Sequence, residues 1–179
     1  MKTAVVLTNL GGPESQQEIG PFLYNLYNDS DLIKLPFGKT GQSFFARVIS
    51  RIKSPKSARL YSQIGGGSPI RYNTMKQAHA LEAVLQKEGE FLVFTAQRYG
   101  HPFIPEVVEQ LKQGEYEHII LLPLFPQYSN TTTLSIINEW VRNAQKLPAP
   151  HIVQRFNLHS KYIQADRKST RLNSSHVLI

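Results

Sequence analysis

The 179-residue sequence contains no cysteine. That absence excludes a disulfide framework and any thiolate metal site, and it suits a reducing compartment. No apolar run approaches the roughly 18 residues of a membrane span. Met1-Lys2 runs into Thr3-Ala4-Val5-Val6-Leu7-Thr8-Asn9, too short for the apolar region of a secretory signal, and no cleavage site follows. A cytoplasmic location is expected. Acidic residues are scarce too, 13 against 20 Lys and Arg, leaving a formal charge of +7. Such an excess can mark nucleic acid or an anionic membrane surface. Three of the cations, Arg167, Lys168 and Arg171, lie in the last fourteen residues, and much of the rest gathers between Lys34 and Arg71. That cluster lacks the aromatic-basic interleaving of a single-strand binder, so no nucleic-acid partner is expected. An anionic small ligand or a lipid headgroup accounts for it.

What is present suits one globular domain: 41% hydrophobic residues, with 11 Gly and 11 Pro in no repeating period. Thr3–Asn9 reads as a buried strand ending in the Asn9-Leu10-Gly11-Gly12-Pro13 turn. Glu14 to Tyr27 looks helical in part, interrupted at Gly20-Pro21. Ser43 to Arg51 places Phe44, Phe45, Val48 and Ile52 at helical spacing. Asn73 can cap a helix with Met75, Ala78, Leu81 and Leu85 inward. Phe91–Thr95, His118–Phe125 and His151–Phe156 read as further strands. Between them fall a helix from Pro105 carrying Ile104, Val107, Val108 and Leu111, and one capped by Thr131–Thr133 with Ile136, Ile137, Trp140, Val141 and Ala144 inward.

This alternation predicts an α/β fold, a doubly wound parallel sheet flanked by helices. Ligands of such sheets gather at the carboxyl ends of the strands, which puts Asn9–Pro13, Gln97–Pro102 and Pro123–Thr133 along one edge. The last segment breaks the pattern. Asp166 to His176 holds one apolar side chain and resembles the conceptual translation of a sequencing-library adapter. The expected organisation is an α/β domain over 1–165 and an artefactual, disordered tail over 166–179.

Ile64-Gly65-Gly66-Gly67-Ser68-Pro69-Ile70 is the most informative stretch. Its glycines let the backbone approach a ligand or adopt positive φ. It is not a P-loop, because no Gly-Lys-Ser/Thr follows, and no strand leads into it as a dinucleotide fingerprint requires. Alone, it reads more readily as a structural turn. So do Gln97-Arg98-Tyr99-Gly100 and Pro126-Gln127-Tyr128-Ser129.

In combination the motifs are specific. Asn-Leu-Gly-Gly-Pro at 9–13, Phe-Leu-Tyr-Asn-Leu at 22–26, Ser-Pro-Lys at 54–56, Tyr61 with the Gly-rich turn at 64–70, Arg98-Tyr99, and Pro-Gln-Tyr-Ser with Thr-Thr at 126–132 occur in that order. From residue 3 to about 165 the chain closely resembles the ferrochelatase family of haem biosynthesis. The resemblance implies two similar α/β domains with a porphyrin cleft between them, of which this chain supplies one wall. It implies a lyase that inserts Fe2+ as a substrate into a porphyrin, protoporphyrin IX or coproporphyrin, without a nucleotide or organic cofactor. It also implies substrate contacts. Lys53 and Lys56 would meet propionates, through charge-assisted hydrogen bonds. Tyr61, Gly65, Gly66, Gly67 and Ser68 would form the Gly-rich wall. Arg98 and Tyr99 would face the porphyrin or the metal, and Tyr128 and Ser129 would come from a loop near the same cleft.

The family's catalytic His motif, Ser-x-His followed by Gly or Ser and an Ile/Leu-Pro pair, is absent, as is its later acidic partner. No catalytic residue is therefore assigned. His79 and His118 read as structural, and His101 is the one histidine placed near the expected cleft. Ser175-His176 begins the pattern but continues as Val177-Leu178. The chain alone is expected to be marginally stable, to bind porphyrin weakly and not to insert iron. The rival reading is a non-catalytic porphyrin- or haem-binding α/β domain. Peripheral membrane contact through Phe22, Leu23, Leu26, Phe37, Phe44 and Phe45 is a further expectation, because porphyrin is poorly soluble.

Overall fold

Strand β1, Thr3–Asn9, is apolar on both faces and buried almost throughout, which only a sheet covered on both sides permits. The computed structural model describes residues 1–36 and 38–175. Among them β1 lies between β2 (Phe91–Gln97) and β3 (His118–Pro123), with β4 (His151–Ile152) beyond β3, and every pairing is parallel. Val5 is in register with Val93 on one side and Ile120 on the other. Because side chains alternate, Ala4 and Val6 enter one core layer and Val5 and Leu7 the other.

The first layer holds α4 (Ile104–Lys112) and α5 (Ser135–Asn143), which contribute Ile104, Val107, Val108, Leu111, Ile136 and Trp140. Trp140 is 1% exposed, so truncation to Ala would cost about 3–5 kcal/mol. The second layer holds α3 (Ile70–Leu85), through Ala78, Leu81 and Leu85. The expected doubly wound parallel sheet is present. The strand order 2-1-3-4 reverses between β1 and β3, the kind of switch point at whose carboxyl ends ligands of such sheets bind.

Two helices stand outside this sandwich. After a 3-10 turn at Gln16–Glu18, α1 covers Ile19–Asn28, and α2 covers Gly38–Ser62. They pack chiefly on each other as a hairpin. Gly20-Pro21 does not interrupt α1. It falls in the first turn, where the missing proline N–H has no intrahelical partner to lose.

Helix α2 is longer than expected, and its large apolar face points outward. Phe44 is 70% and Ile52 65% exposed, while Gln42, Ala46 and Ser50 face inward. Ala46 and Ser50 are small enough for close approach to α1, and the Gln42 amide donates to the Tyr27 carbonyl at 2.7 Å. Smaller differences follow the same logic. Helix α3 starts at Ile70 behind Pro69, so Asn73 lies inside it and Met75 is exposed. A wide turn at 130–134 precedes α5, capped by Ser129 rather than by the threonines, and Val141 faces outward. Strand β4 pairs over two residues only.

Helix α6 covers Ser160–Ser175, across the expected boundary at 165. That span contains no Gly or Pro and several good helix formers, which permits a helix despite its polarity. Residues 176–179, with the Ser-His pair's His176, and Phe37 from the expected membrane set lie outside the described residues. Among the described residues, no helix is long and apolar enough to cross a membrane.

Candidate functional site

The loop after β1 forms the centre of the site. On one side the Ser68 N–H donates to the Pro13 carbonyl at 2.6 Å, and Arg71 from α3 pairs with Glu14 at 2.6 Å. The three glycines of the turn divide their tasks. Gly65 and Gly66 adopt φ of +97° and +92°, a region that L side chains rarely enter. Gly67 has no need of positive φ, but its α-carbon lies against the Glu14 backbone with no room for a Cβ. The Gly66 N–H donates to the Tyr61 carbonyl at 2.8 Å, closing the turn onto the end of α2. The Ser68 hydroxyl accepts from the Ile70 N–H at 3.3 Å, and burial raises the Tyr61 phenol above its ordinary pKa.

On the other side the segment after β2 packs against the same loop. The Arg98 N–H donates to the Asn9 carbonyl at 2.9 Å and the Tyr99 N–H to that of Leu10 at 3.0 Å. The Gln97 side chain fills the space between Gly11 and Gly100, so neither position tolerates a Cβ without moving it. Gly65–Ser68, Leu10–Pro13 and Arg98–Gly100 are thereby joined into one floor along the carboxyl ends of β1 and β2. Two of the three segments expected along that edge, those after β1 and β2, are thus in contact, and the Gly-rich turn joins them.

Beyond this floor the side chains follow the motifs less closely. Tyr99, expected against a ligand, is 1% exposed and donates its hydroxyl to Asp29 at 2.6 Å. Its apolar ring is core, with Phe22 set edge-on at 6.3 Å. Burial, and then the bond to Asp29, pushes its phenol pKa far up. Arg98 is charge-compensated as well: Nη2 lies 3.0 Å from Asp29 and 3.4 Å from Glu139, and Nε donates to the Ser135 hydroxyl at 3.1 Å. Ser135 in turn donates to Asp29 at 2.7 Å. Burial alone would raise the Asp29 carboxyl. Donation from Tyr99, Ser135 and the Asp31 N–H, with the Arg98 charge, outweighs it and holds the group below 3.8.

These groups border a polar cavity of about 340 Å³ lined by Asn25, Asn28, Asp29, Arg98, Glu139 and Arg142. Arg98 reaches the cavity; Tyr99 does not. Sequence reasoning missed Asp29, Ser135 and Glu139. The Asn28-Asp29-Ser30-Asp31 run reads as a turn, and no local spacing announces partners 70 and 106 residues away.

Lys53 and Lys56 are exposed on α2, where Ser54 faces Gly20 at the start of α1. Asp29 caps the other end of α1, about 15 Å away by the rise of a ten-residue helix. Tyr128 is exposed on the loop after β3, whereas the Ser129 hydroxyl accepts from the Thr132 N–H at 3.2 Å as a cap. His101 is exposed, with Nδ1 3.0 Å from the Glu106 carboxylate, and His79 and His118 are exposed too. Among the described residues, no three His, Asp or Glu side chains converge as metal ligands.

The comparisons with known proteins bear on this geometry. A ferrochelatase family model matches residues 2–176, past the limit near 165 that the motifs alone suggest. A ferrochelatase of Synechococcus sp. (strain JA-3-3Ab) is 50% identical over 133 residues, covering 74% of this chain and 39% of the relative. One of Synechococcus sp. (strain JA-2-3B'a(2-13)) is 43% identical over 176 residues, 95% of this chain and 51% of the relative. One of Aquifex aeolicus (strain VF5) is 40% identical over 169 residues, 92% of this chain and 53% of the relative. The chain spans about half the length of the curated relatives it matches. With the glycine-built floor at the carboxyl ends of its parallel strands and a family match over nearly its whole length, the chain belongs to the ferrochelatase family.

Proposed function

We propose that this chain forms the amino-terminal wall of a ferrochelatase, a lyase that inserts Fe2+ into protoporphyrin IX or coproporphyrin in haem biosynthesis. The observation that carries the reading is the floor in which Gly67-Ser68, Gly12 and Arg98–Gly100 meet. It offers a flat macrocycle an edge of backbone with few side chains in the way. Lys53 and Lys56 supply cations for propionates at one end of α1, and Arg98 borders the cavity at the other. Tyr61 closes the Gly-rich turn through its carbonyl, and Tyr128 is exposed on the loop that Ser129 caps. The reaction needs no organic cofactor; iron enters as substrate. Metal insertion also requires a base for the pyrrole protons, and no residue of this chain is assigned that role. The second reading for the chain by itself is a porphyrin-binding domain without insertion activity.

The same reading extends to location. The protein works in the cytoplasm, with the outward face of α2 touching the membrane from which porphyrin arrives. Phe44, Val48 and Ile52 lie exposed on that face and Arg47 and Arg51 stand among them. Leu23 is core, and Phe22 and Phe45 are occupied by Tyr99 and Tyr27, so they take no part.

The test is a titration of the purified chain with metal-free protoporphyrin IX, followed by fluorescence, with iron insertion measured in the same solution. Saturable binding without insertion above the uncatalysed rate is expected. Absence of binding overturns the wall, and turnover by the chain alone overturns its dependence on further residues.

A further inference from the structure

The α1–α2 hairpin carries Lys53 and Lys56, while Ser68 and Arg98 belong to the floor on the sheet. The two parts need a fixed relation if one ligand is to touch both. The hairpin helices spend most of their packing on each other, so the tie to the sheet rests on few groups. At the end of α1, Asp29 is 6% exposed and accepts from groups of separate elements. Tyr99 and Arg98 come from the segment after β2, at 2.6 and 3.0 Å, and Ser135 from the start of α5, at 2.7 Å. The Asp31 N–H, at 2.8 Å, rigidifies the turn itself. Phe22 on the Tyr99 ring and the Arg142–Asp31 pair at 2.8 Å sit beside the same joint.

A buried carboxylate with four donors is costly to expose and costly to leave half-satisfied, so it closes in one arrangement. Surface pairs such as Arg71–Glu14 have no comparable hold. We propose that Asp29 is a positioning residue: it locks the α1–α2 hairpin, with its two lysines, against the floor that carries Ser68 and Arg98. Its role toward porphyrin rests on the function proposed above; the lock itself does not. In this role Asp29 acts through Tyr99, Arg98 and Ser135. Tyr99 then serves the site from inside the core, by holding one corner of the lock.

The experiment compares the chain with Asp29→Asn, which keeps the shape and removes the charge, and with Tyr99→Phe, which removes one donor from a buried ring. Hydrogen exchange by mass spectrometry is read separately over 19–62 and over β1 and β3, and protoporphyrin IX affinity is measured by fluorescence quenching. The expected result is exchange that accelerates several-fold more in the hairpin than in the strands, and several-fold weaker porphyrin binding. Tyr99→Phe moves both in the same direction by less, and it carries the comparison should Asp29→Asn not fold. Exchange that accelerates equally in strands and hairpin, or not at all, overturns the lock. Unchanged affinity in a variant with a loosened hairpin overturns the positioning role. Selective loosening in variants whose parent binds no porphyrin supports the lock and removes the proposed function instead.

Discussion

Gly67 and Glu14 are pressed backbone to backbone, and the Gly-rich turn owes its third glycine to that contact. Gly67→Ala would push a methyl group into the Glu14 carbonyl, and neither partner is a side chain that can swing away. The expected cost is about 1–3 kcal/mol of stability. Gly65→Ala meets nothing within 4 Å and pays only for φ of +97°, about 1 kcal/mol. Chemical denaturation of the two variants checks the order. A Gly65 variant that loses more stability than the Gly67 variant would refute this division of tasks.

Lys53 and Lys56 are exposed and no ion pair involves them among the described residues. Replacing both by Ala should therefore change stability by no more than about 0.5 kcal/mol. Porphyrin affinity, in contrast, should fall several-fold and lose part of its salt dependence, because attraction between exposed charges is screened over about 10 Å at 0.1 M salt. Titrations at low and moderate salt decide between an anchoring pair and two merely solvated lysines. Identical salt profiles for parent and variant would dismiss the anchor.

Strands β1, β2 and β3 were legible because they are continuous apolar runs bounded by turn residues, the pattern of strands in a parallel sheet. The floor of the site was legible for a related reason: Gly-rich turns and strand ends have strong local signatures. Helix α2 shows where such reasoning stops. Phe44, Val48 and Ile52 define a face by their spacing, yet spacing does not say whether that face points inward. The hairpin instead selected the face of Ala46 and Ser50, where small size brings helices together. Asp29 was illegible for another reason. Its partners Tyr99 and Ser135 lie far along the chain, and nothing in their own neighbourhoods marks them as a cluster.

The Asp29 cluster has a pH signature. Its carboxyl is held below 3.8 in the folded chain, so the unfolded chain binds the proton more readily. The resulting stabilisation is complete above that value and disappears as pH falls through the lower folded value. Tyr99 behaves in the opposite sense: its raised phenol pKa gives a contribution present below its ordinary value of 10.0 and lost only at strongly alkaline pH. Asp29→Asn should lose about 3 kcal/mol at neutral pH, the scale of breaking a buried ion pair. Denaturant midpoints should show a gap between parent and variant that is constant near neutral pH and narrows only as pH falls below 3.8. A gap that stays constant down to the acid unfolding of the parent would assign the loss to packing rather than to charge.

The outward face of α2 separates two descriptions of the helix by a single measurement. If Phe44 and Ile52 were core residues, as their spacing suggests, polar substitution would leave cavities and cost about 2–5 kcal/mol each. In the structure they are 70% and 65% exposed, and Phe44→Ser with Ile52→Ser should shift stability by about 0.5 kcal/mol or less. Membrane contact predicts a second effect of the same pair. Apolar side chains at an interface add binding energy in proportion to the area they bury, and Arg47 and Arg51 beside them add attraction to anionic lipid. The parent chain should float with vesicles containing anionic lipid at moderate salt, and the doubly substituted chain should remain in the dense fraction while folding as before. Flotation that survives the substitutions would move the contact elsewhere on the surface. A chain that floats with neither anionic nor neutral vesicles would remove stable attachment altogether and leave the exposed face of α2 to a protein partner.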